Sequence, residues 1–436
     1  MKKGLFFSVC ILALKVFGQN YQVSTAAGDG NFGYKDSTAA ECEMNYPYGL
    51  HSDNDSLIFF SDGANGTVRK FNYVTNVVTT IAGNGMLGFQ DGVGAGAQFN
   101  YPDDLFYING FLYVSDNINN AIRKIDLSNN SVTTIAGNGT EGYNGDGIPA
   151  STAILSHPGG IIVDASGDII FADCYNYCIR RIHNDTISTI AGVPTVAGYL
   201  DGAANQAQFH RPRYIALDSN GVLYITDINN NVVRKYSNGV VSTFAGTGVA
   251  GGLDGDSATA TFSAPVGIAS TYNTYLYVVD GGGNKLRKVD QHGNVTTIAG
   301  DGNFGFNDGA DSTAEFFYPQ GVCYDEYGYI YMADRDNNRI RKISLPYSEA
   351  KKHNANSIPQ IARVAVSVYP NPSSGTIHII GCNGSRYKVY DVLGHEITSG
   401  IVRGEELNFS TLANGMYTLS IADKERVQSC KISIQK

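Results

Sequence analysis

The chain has 436 residues, a formal net charge of −9, 16% charged side chains, 51 glycines and 28 tyrosines. That length exceeds one ordinary core and calls for several domains or one large repeat architecture. The acidic balance disfavours nucleic acid as a partner, and the glycine and aromatic content excludes a disordered or coiled-coil chain in favour of a turn-rich β protein.

Residues 1–18 read Met1-Lys2-Lys3, an apolar run from Leu5 to Phe17 broken by Lys15, and Gly18 before Gln19, the pattern of a secretory signal peptide. The run is too short to span a bilayer, and no other stretch could, so no transmembrane span is expected after cleavage. Export leads to an oxidising compartment, where the cysteines can pair. Cys174 with Cys178, in one predicted turn, and Cys382 with Cys430, near the end, are the candidate disulfides; Cys42 and Cys323 are left over. No metal site is expected, because Cys174 has no second cysteine pair and no histidine at ligand spacing.

From residue 19 to 346 one unit of about 54 residues recurs six times. Its anchor is Thr-(Ile/Phe)-Ala-Gly, loosest in the first copy, with glycines at 28, 83, 137, 192, 246 and 300. Each copy then carries an Asp followed seven residues later by an Arg: Asp62/Arg69, Asp116/Arg123, Asp173/Arg180, Asp227/Arg234, Asp280/Arg287 and Asp334/Arg341. In the second copy, β-prone runs over Asp104–Ile108, Phe111–Ser115, Ala121–Ile125 and Val132–Ile135 are separated by turn residues. Four antiparallel strands per repeat predict a propeller blade, and so an all-β, six-bladed β-propeller. The sixth unit has only three strands, so the strand at Val23–Ala27 is expected to complete it and remove the free edge.

A catalytic centre is one constellation and not six, so the repeated Asp/Arg pairs read as structural: a carboxylate at a strand end satisfies the turn and the arginine on the returning strand. A second series, Asp36, Asp91, Asp146, Asp201, Asp254 and Asp308, lies in Gly-rich loops and leaves calcium open as a ligand there, although no EF-hand spacing is present. Met44, Phe99, Leu155, Phe209, Phe262 and Phe316, three residues before each blade proline, read as plugs between blades.

Function is expected where the repeats differ. Pro47, Pro102, Pro158, Pro212, Pro265 and Pro319 open the innermost strands, and their neighbours would ring one mouth of the channel. Tyr46, Tyr48, Tyr101, Asp103, His157, Arg211, Arg213, Tyr318 and Gln320 are the candidate ligand-binding residues. Aromatic rings suit sugar faces, and arginines suit carboxylates. The competing reading is ordinary surface with no ligand.

The phrase Asp-x-x-Asn-x-x-(Ile/Val/Leu)-Arg-(Lys/Arg), with Gly-x-x-x-Asp and Thr-Ile-Ala-Gly, resembles the NHL repeat family of six-bladed propellers across all six units; Asn65, Asn119, Asn176, Asn230 and Asn337 sit three after the Asp, and the fifth unit departs with Gly283. Enzymes exist on such folds, among them a zinc-dependent amidating lyase and other lyases or lactone hydrolases. Carrying their chemistry here would need ligands converging at the mouth, where only His157 and His210 fall, and no catalytic residue is assigned.

Residues 347–363 are polar and aperiodic and read as a linker. Residues 364–436 form a second small β domain, expected to be a sandwich. Tyr369-Pro370-Asn371-Pro372, Tyr390-Asp391-Val392-Leu393-Gly394 and Leu412-Ala413-Asn414-Gly415-Met416-Tyr417 closely resemble the type A C-terminal sorting domain of the type IX secretion system. The resemblance implies a bacterial protein that crosses the periplasm, is recognised by the outer-membrane translocon, and ends released or held at the cell surface. The reading is therefore a secreted or surface-displayed propeller that binds a glycan or a surface protein, with a secreted lyase or lactone hydrolase as the alternative.

Overall fold

A computed structural model describes residues 21–271, 275–325 and 328–344 of a first compact unit, and 368–369, 376–379, 386–391, 395–402, 406–422 and 427–435 of a second, the chain dividing between His353 and Asn354. The signal peptide at 1–18, the linker at 347–363, Cys382 and the Cys430 side chain lie outside the described residues.

The described part of the first unit folds into six antiparallel sheets. In the second repeat the strands are Pro102–Ile108, Phe111–Asp116, Ala121–Asp126 and Ser131–Ala136, in sequence order across the sheet. The expectation of four strands per sheet needs correcting. Five sheets carry a fifth strand of two residues, such as Ser37–Thr38 or Gly92–Val93, which the preceding loop lays along the outermost strand. Two residues cover an exposed edge but are too few to show a period of two. Gln22–Ala27 fills the outer place of the last sheet, where Val23 pairs with Ile343 on one side and Gly309 on the other. The innermost strands touch in cyclic order: Pro47–Ser52 with Pro102–Ile108, then Pro158–Val163, Pro212–Leu217, Pro265–Ser270, Val322–Tyr324, and back to Pro47–Ser52.

Each sheet is built around one fully buried arginine. Arg123 gives Nη1 to Asp116 Oδ2 (2.5 Å) and Gln98 O (3.1 Å), and Nη2 to Asp91 Oδ1 (2.8 Å) and Gln90 O (2.8 Å). Its guanidinium lies between the rings of Phe89 and Phe99, at 5.2 and 5.0 Å. Asp116 also accepts from Asn100 N and Asn119 Nδ2, and Asp91 from Thr134 N and Oγ1. The same ion pairs recur as Asp62–Arg69–Asp36, Asp173–Arg180–Asp146, Asp227–Arg234–Asp201, Asp280–Arg287–Asp254 and Asp334–Arg341–Asp308. The loop carboxylates thus each bond an arginine and a threonine, so a cationic side chain already sits beside every one of them. In every sheet the strand register shifts beside this arginine, as between Ile122 and Arg123, and the bulge turns the long side chain inward. Met44, Phe99, Leu155, Phe209, Phe262 and Phe316 are fully buried beneath the same loops.

Cys174 and Cys178 are free, buried thiols, and the disulfide expected between them is absent; Cys42 and Cys323 are also free. The reason is local. Tyr177 takes a left-handed backbone (φ 58°) and swings the chain so that Cys178 begins the next strand opposite Asp173, while the Cys174 sulfur packs beneath Gly159 on the channel side. Burial pushes the Cys174 thiol up to about 12, so it is inert.

The described part of the second unit contains two sheets, one of three strands (Val368–Tyr369, Thr376–Ile379, Glu406–Asn408) and one of four (Arg386–Tyr390, Glu396–Ile401, Gly415–Ala422, Val427–Ile434). Ile377, Val389, Leu407, Phe409, Leu419 and Ile432 form its core.

Candidate functional site

The residue before each inner-strand proline adopts a left-handed backbone: Tyr46, Tyr101, His157, Arg211, Ala264 and Tyr318 have φ between 45° and 68°. Proline disfavours a helical conformation in the residue before it, and the left-handed turn throws these side chains outward at the rim. Four of the turns are secured from the preceding sheet. The N–H groups of Tyr46, His157, Ala264 and Tyr318 donate to Asn338, Asn120, Asn231 and Asn284 Oδ1, at 2.9–3.1 Å. At the two other junctions the corresponding residue is Gly66 or Tyr177, and no side chain caps Tyr101 or Arg211 in this way.

The nine candidate residues do not form one even ring. Tyr46 and Tyr318 are the exposed ones, at 37% and 49%. They cluster with Tyr48 around Arg335, whose guanidinium lies 4.9, 5.6 and 5.8 Å from the rings of Tyr46, Tyr48 and Tyr318. Asp103 and Arg213 are buried and committed to each other. Arg213 Nη2 meets Asp103 Oδ2 at 2.5 Å, the Tyr214 hydroxyl donates to Asp103 Oδ1 at 2.9 Å, and Asn117 Nδ2 reaches the pair at 3.3 Å. Gln320 is also buried, and its amide donates to Tyr318 O. These three shape the wall instead of presenting open donors.

What remains is a cavity of about 240 Å3 lined by Tyr48, Tyr101, Asp103, Asn117, Ile118, His157, Tyr175, Arg211 and Arg213. Arg211 lies 5.1 Å over the Tyr175 ring, and its buried Nε has no partner. His157 sits edge-on to Tyr175 at 4.7 Å with Nδ1 unpartnered, its nearest carboxylate being Glu141 at 3.7 Å. Burial lowers His157 below its ordinary value, with Glu141 opposing and the two arginines reinforcing, so the ring is neutral near pH 7. His210 faces Tyr177, and among the described residues no group of three or more His, Cys, Asp or Glu converges as a metal site.

Sequence reasoning missed Asn117, Ile118, Tyr175 and Arg335. All four stand one or two residues after the repeated Asp, in the turn that reaches the same rim as the prolines. The signal was available, because those positions also differ from copy to copy.

Below the cavity one layer narrows the channel, and beyond it a second cavity of about 200 Å3 is lined by Leu50, Leu105, Ile161, Ile215, Ile268 and Val322 of the six innermost strands. Two residues after each inner-strand proline stand Gly49, Asp104, Gly160, Tyr214, Gly267 and Gly321. A Cβ on Gly49 would lie 2.6 Å from Asp104 Cα and Oδ1, and one on Gly160 would lie 2.5 Å from the Tyr214 Cα, so glycine there lets the neighbouring backbones close in and leaves Asp104 and Tyr214 as the two side chains of that layer. Asp104 accepts from Ile161 N at 3.0 Å. Burial pushes its carboxyl up to about 8, aided by Asp103 and opposed by that N–H. The folded value stands above the ordinary ~3.9, so the stability it contributes is fully present below about pH 4 and is lost as pH rises through 8. Asp104→Asn is expected to flatten the fall of melting temperature between pH 5 and 9, and to melt roughly 2–4 °C above the parent at pH 8.5. Parallel profiles would mean that Asp104 holds no such proton.

The family model described as a secretion system C-terminal sorting domain matches residues 367–435. The chain is 28% identical over 341 residues to Protein SUPPRESSOR OF QUENCHING 1, chloroplastic, of Arabidopsis thaliana, covering 72% of this chain and 32% of that protein. It is 28% identical over 295 residues to NHL repeat-containing protein 2 of Bos taurus, covering 59% and 41%. The chain thus spans only about a third to two fifths of these relatives. Among solved structures, a protein of unknown function from Bacteroides thetaiotaomicron is similar with a TM-score of 0.58 at 21% identity, covering 74% of this chain and 76% of that one. An auxiliary nutrient binding protein from the same organism is similar with a TM-score of 0.58 at 16% identity, covering 76% and 77%. These likenesses establish the propeller fold. Among the described residues no helix is long and apolar enough to cross a membrane. The chain carries a propeller whose repeats are related to those of NHL-repeat proteins, followed by a type IX sorting domain that directs it out of the cell, to the surface or the medium.

Proposed function

We propose that this is a six-bladed propeller, residues 19–346, preceded by a cleaved signal peptide at 1–18 and joined through a linker at 347–363 to a sandwich-like sorting domain at 364–436, and that it binds a glycan or protein ligand at the channel mouth without transforming it. The cyclic contacts of the inner strands and the outer place taken by Gln22–Ala27 support the blade count and closure. The observation that carries the binding reading is Arg211: a cation held over Tyr175 in a cavity at the rim, with no ion pair among the described residues. An arginine kept unpaired beside a pair that is fully satisfied, Asp103 with Arg213, is a group reserved for a partner. The nutrient-binding neighbour has the same kind of fold and lends the reading analogy only.

The test is a thermal-shift screen of the full chain against neutral and acidic monosaccharides, short peptides and divalent ions, with recovery of each hit. At least one organic ligand is expected to raise the melting temperature and to be recovered chemically unchanged. A hit recovered cleaved or opened would replace this reading with the lyase or lactone hydrolase alternative, and a panel without any shift would refute binding at the mouth.

A further inference from the structure

Resting on that binding reading, we infer that the mouth cavity is selective for one uronic acid unit, a sugar ring bearing a carboxylate. Charge comes first. Of the three ionic side chains lining the cavity, Asp103 and Arg213 cancel across 2.5 Å, and Arg211 is left over. The cavity is thus locally cationic in a chain whose net charge is −9, and it draws an anion by short-range contact instead of long-range steering.

Geometry narrows the anion. Stacking on Tyr175 fixes the plane of the Arg211 guanidinium, whose planar fork matches a carboxylate through two parallel hydrogen bonds. The donors are the two Nη groups, since the Nε is buried, as it is in the six repeat arginines. The other walls are not built for a bare inorganic ion. Tyr48, Tyr101 and Tyr175 present aromatic surface together with hydroxyls, the mixture that suits a ring with apolar faces and a hydroxylated edge. The neutral His157, its Nδ1 buried on the Glu141 side, adds a partly exposed ring edge to the wall. Size sets the last limit. At about 240 Å3 the cavity falls below the roughly 300–1,000 Å3 typical of drug-sized ligands, so it takes one monomer, and a longer chain would continue toward the exposed Tyr46 and Tyr318 around Arg335.

Titration calorimetry on the full chain tests this with D-glucuronate and D-galacturonate against D-glucose, D-galactose, L-glutamate and inorganic sulfate. The expected result is that a uronate binds at least tenfold more tightly than its neutral counterpart, glutamate and sulfate, and that Arg211→Gln erases this preference while leaving any neutral-sugar binding in place. Arg211→Lys, which keeps the charge and loses the fork, is expected to fall between. Arg181→Gln, at an exposed arginine on Cys178–His183 outside the cavity, should leave the preference intact. Equal affinity for uronate and neutral sugar, or unchanged uronate binding in a folded Arg211→Gln chain, would overturn the uronate inference while sparing the binding reading. Glutamate or sulfate binding as tightly as uronate would overturn the sugar class. Silence from every probe, in a chain that still gains stability from a ligand of the wider screen, would overturn this inference alone.

Discussion

Arg123→Leu is expected to destabilise the chain by roughly 3–5 kcal/mol, the cost of leaving a buried charge without its partner. The side chain is fully buried, holds two carboxylates and two carbonyls, and fills the space between Phe89 and Phe99. Leucine recovers part of the volume and none of the hydrogen bonds. Asp116, already pushed up to about 6 by burial against the pull of Arg123, would then meet its environment alone and take up a proton. The urea midpoint of the variant should therefore fall further as pH rises from 5 to 8. Asp91→Asn touches the same arginine from the solvent side, where the carboxylate is about half exposed, and should cost no more than about 1 kcal/mol. The double variant Arg123→Leu, Asp116→Leu should recover much of the loss, because it removes the orphan as well as the bond. Equal losses for Arg123→Leu and Asp91→Asn would show that the inner pair does not hold the sheet.

Val23→Asp should be comparably damaging, for a different reason. Val23 lies in an apolar cluster with Tyr21, Phe316, Met332 and Ile343, between two strands that it joins. An aspartate there must be buried unpaired or must withdraw the strand, at a cost of roughly 3 kcal/mol or more either way. The loss should be local. Hydrogen exchange is expected to speed up first in Tyr329–Asp334 and Arg339–Ser344, with Phe111–Asp116 and Ala121–Asp126 protected longer. Uniform acceleration across the sheets would argue against closure as the event affected.

The repeat was legible because packing demands the same residue at the same place in every sheet. Asp116 ends one strand opposite Ala121, and Arg123, two residues further on, faces Val114, so a spacing of seven is what a short turn between two antiparallel strands yields. Sorting motifs in the tail were legible because they are local. The cavity was much less so. That Asp103 would spend itself on Arg213, 110 residues away, is a fact of ring geometry, and no local pattern announces it. Tyr175 and Arg335 reach the rim from a different strand end than the prolines do, so a search keyed to proline passed over them. The cysteines show the opposite error: a spacing of four suggested proximity, yet one left-handed residue between them leaves the Cys174 sulfur in the turn against Gly159 and starts the next strand at Cys178.

The asparagine bonds between neighbouring sheets also say where the ring is most easily parted. Four junctions have one, and the two that lack it end on Tyr101 and Arg211, both of them lining the cavity. A ligand seated against these two residues would bridge the junctions that lack the asparagine bond, and so act as a clasp. Occupancy of a site on one face would then be felt as stiffness around the whole circumference.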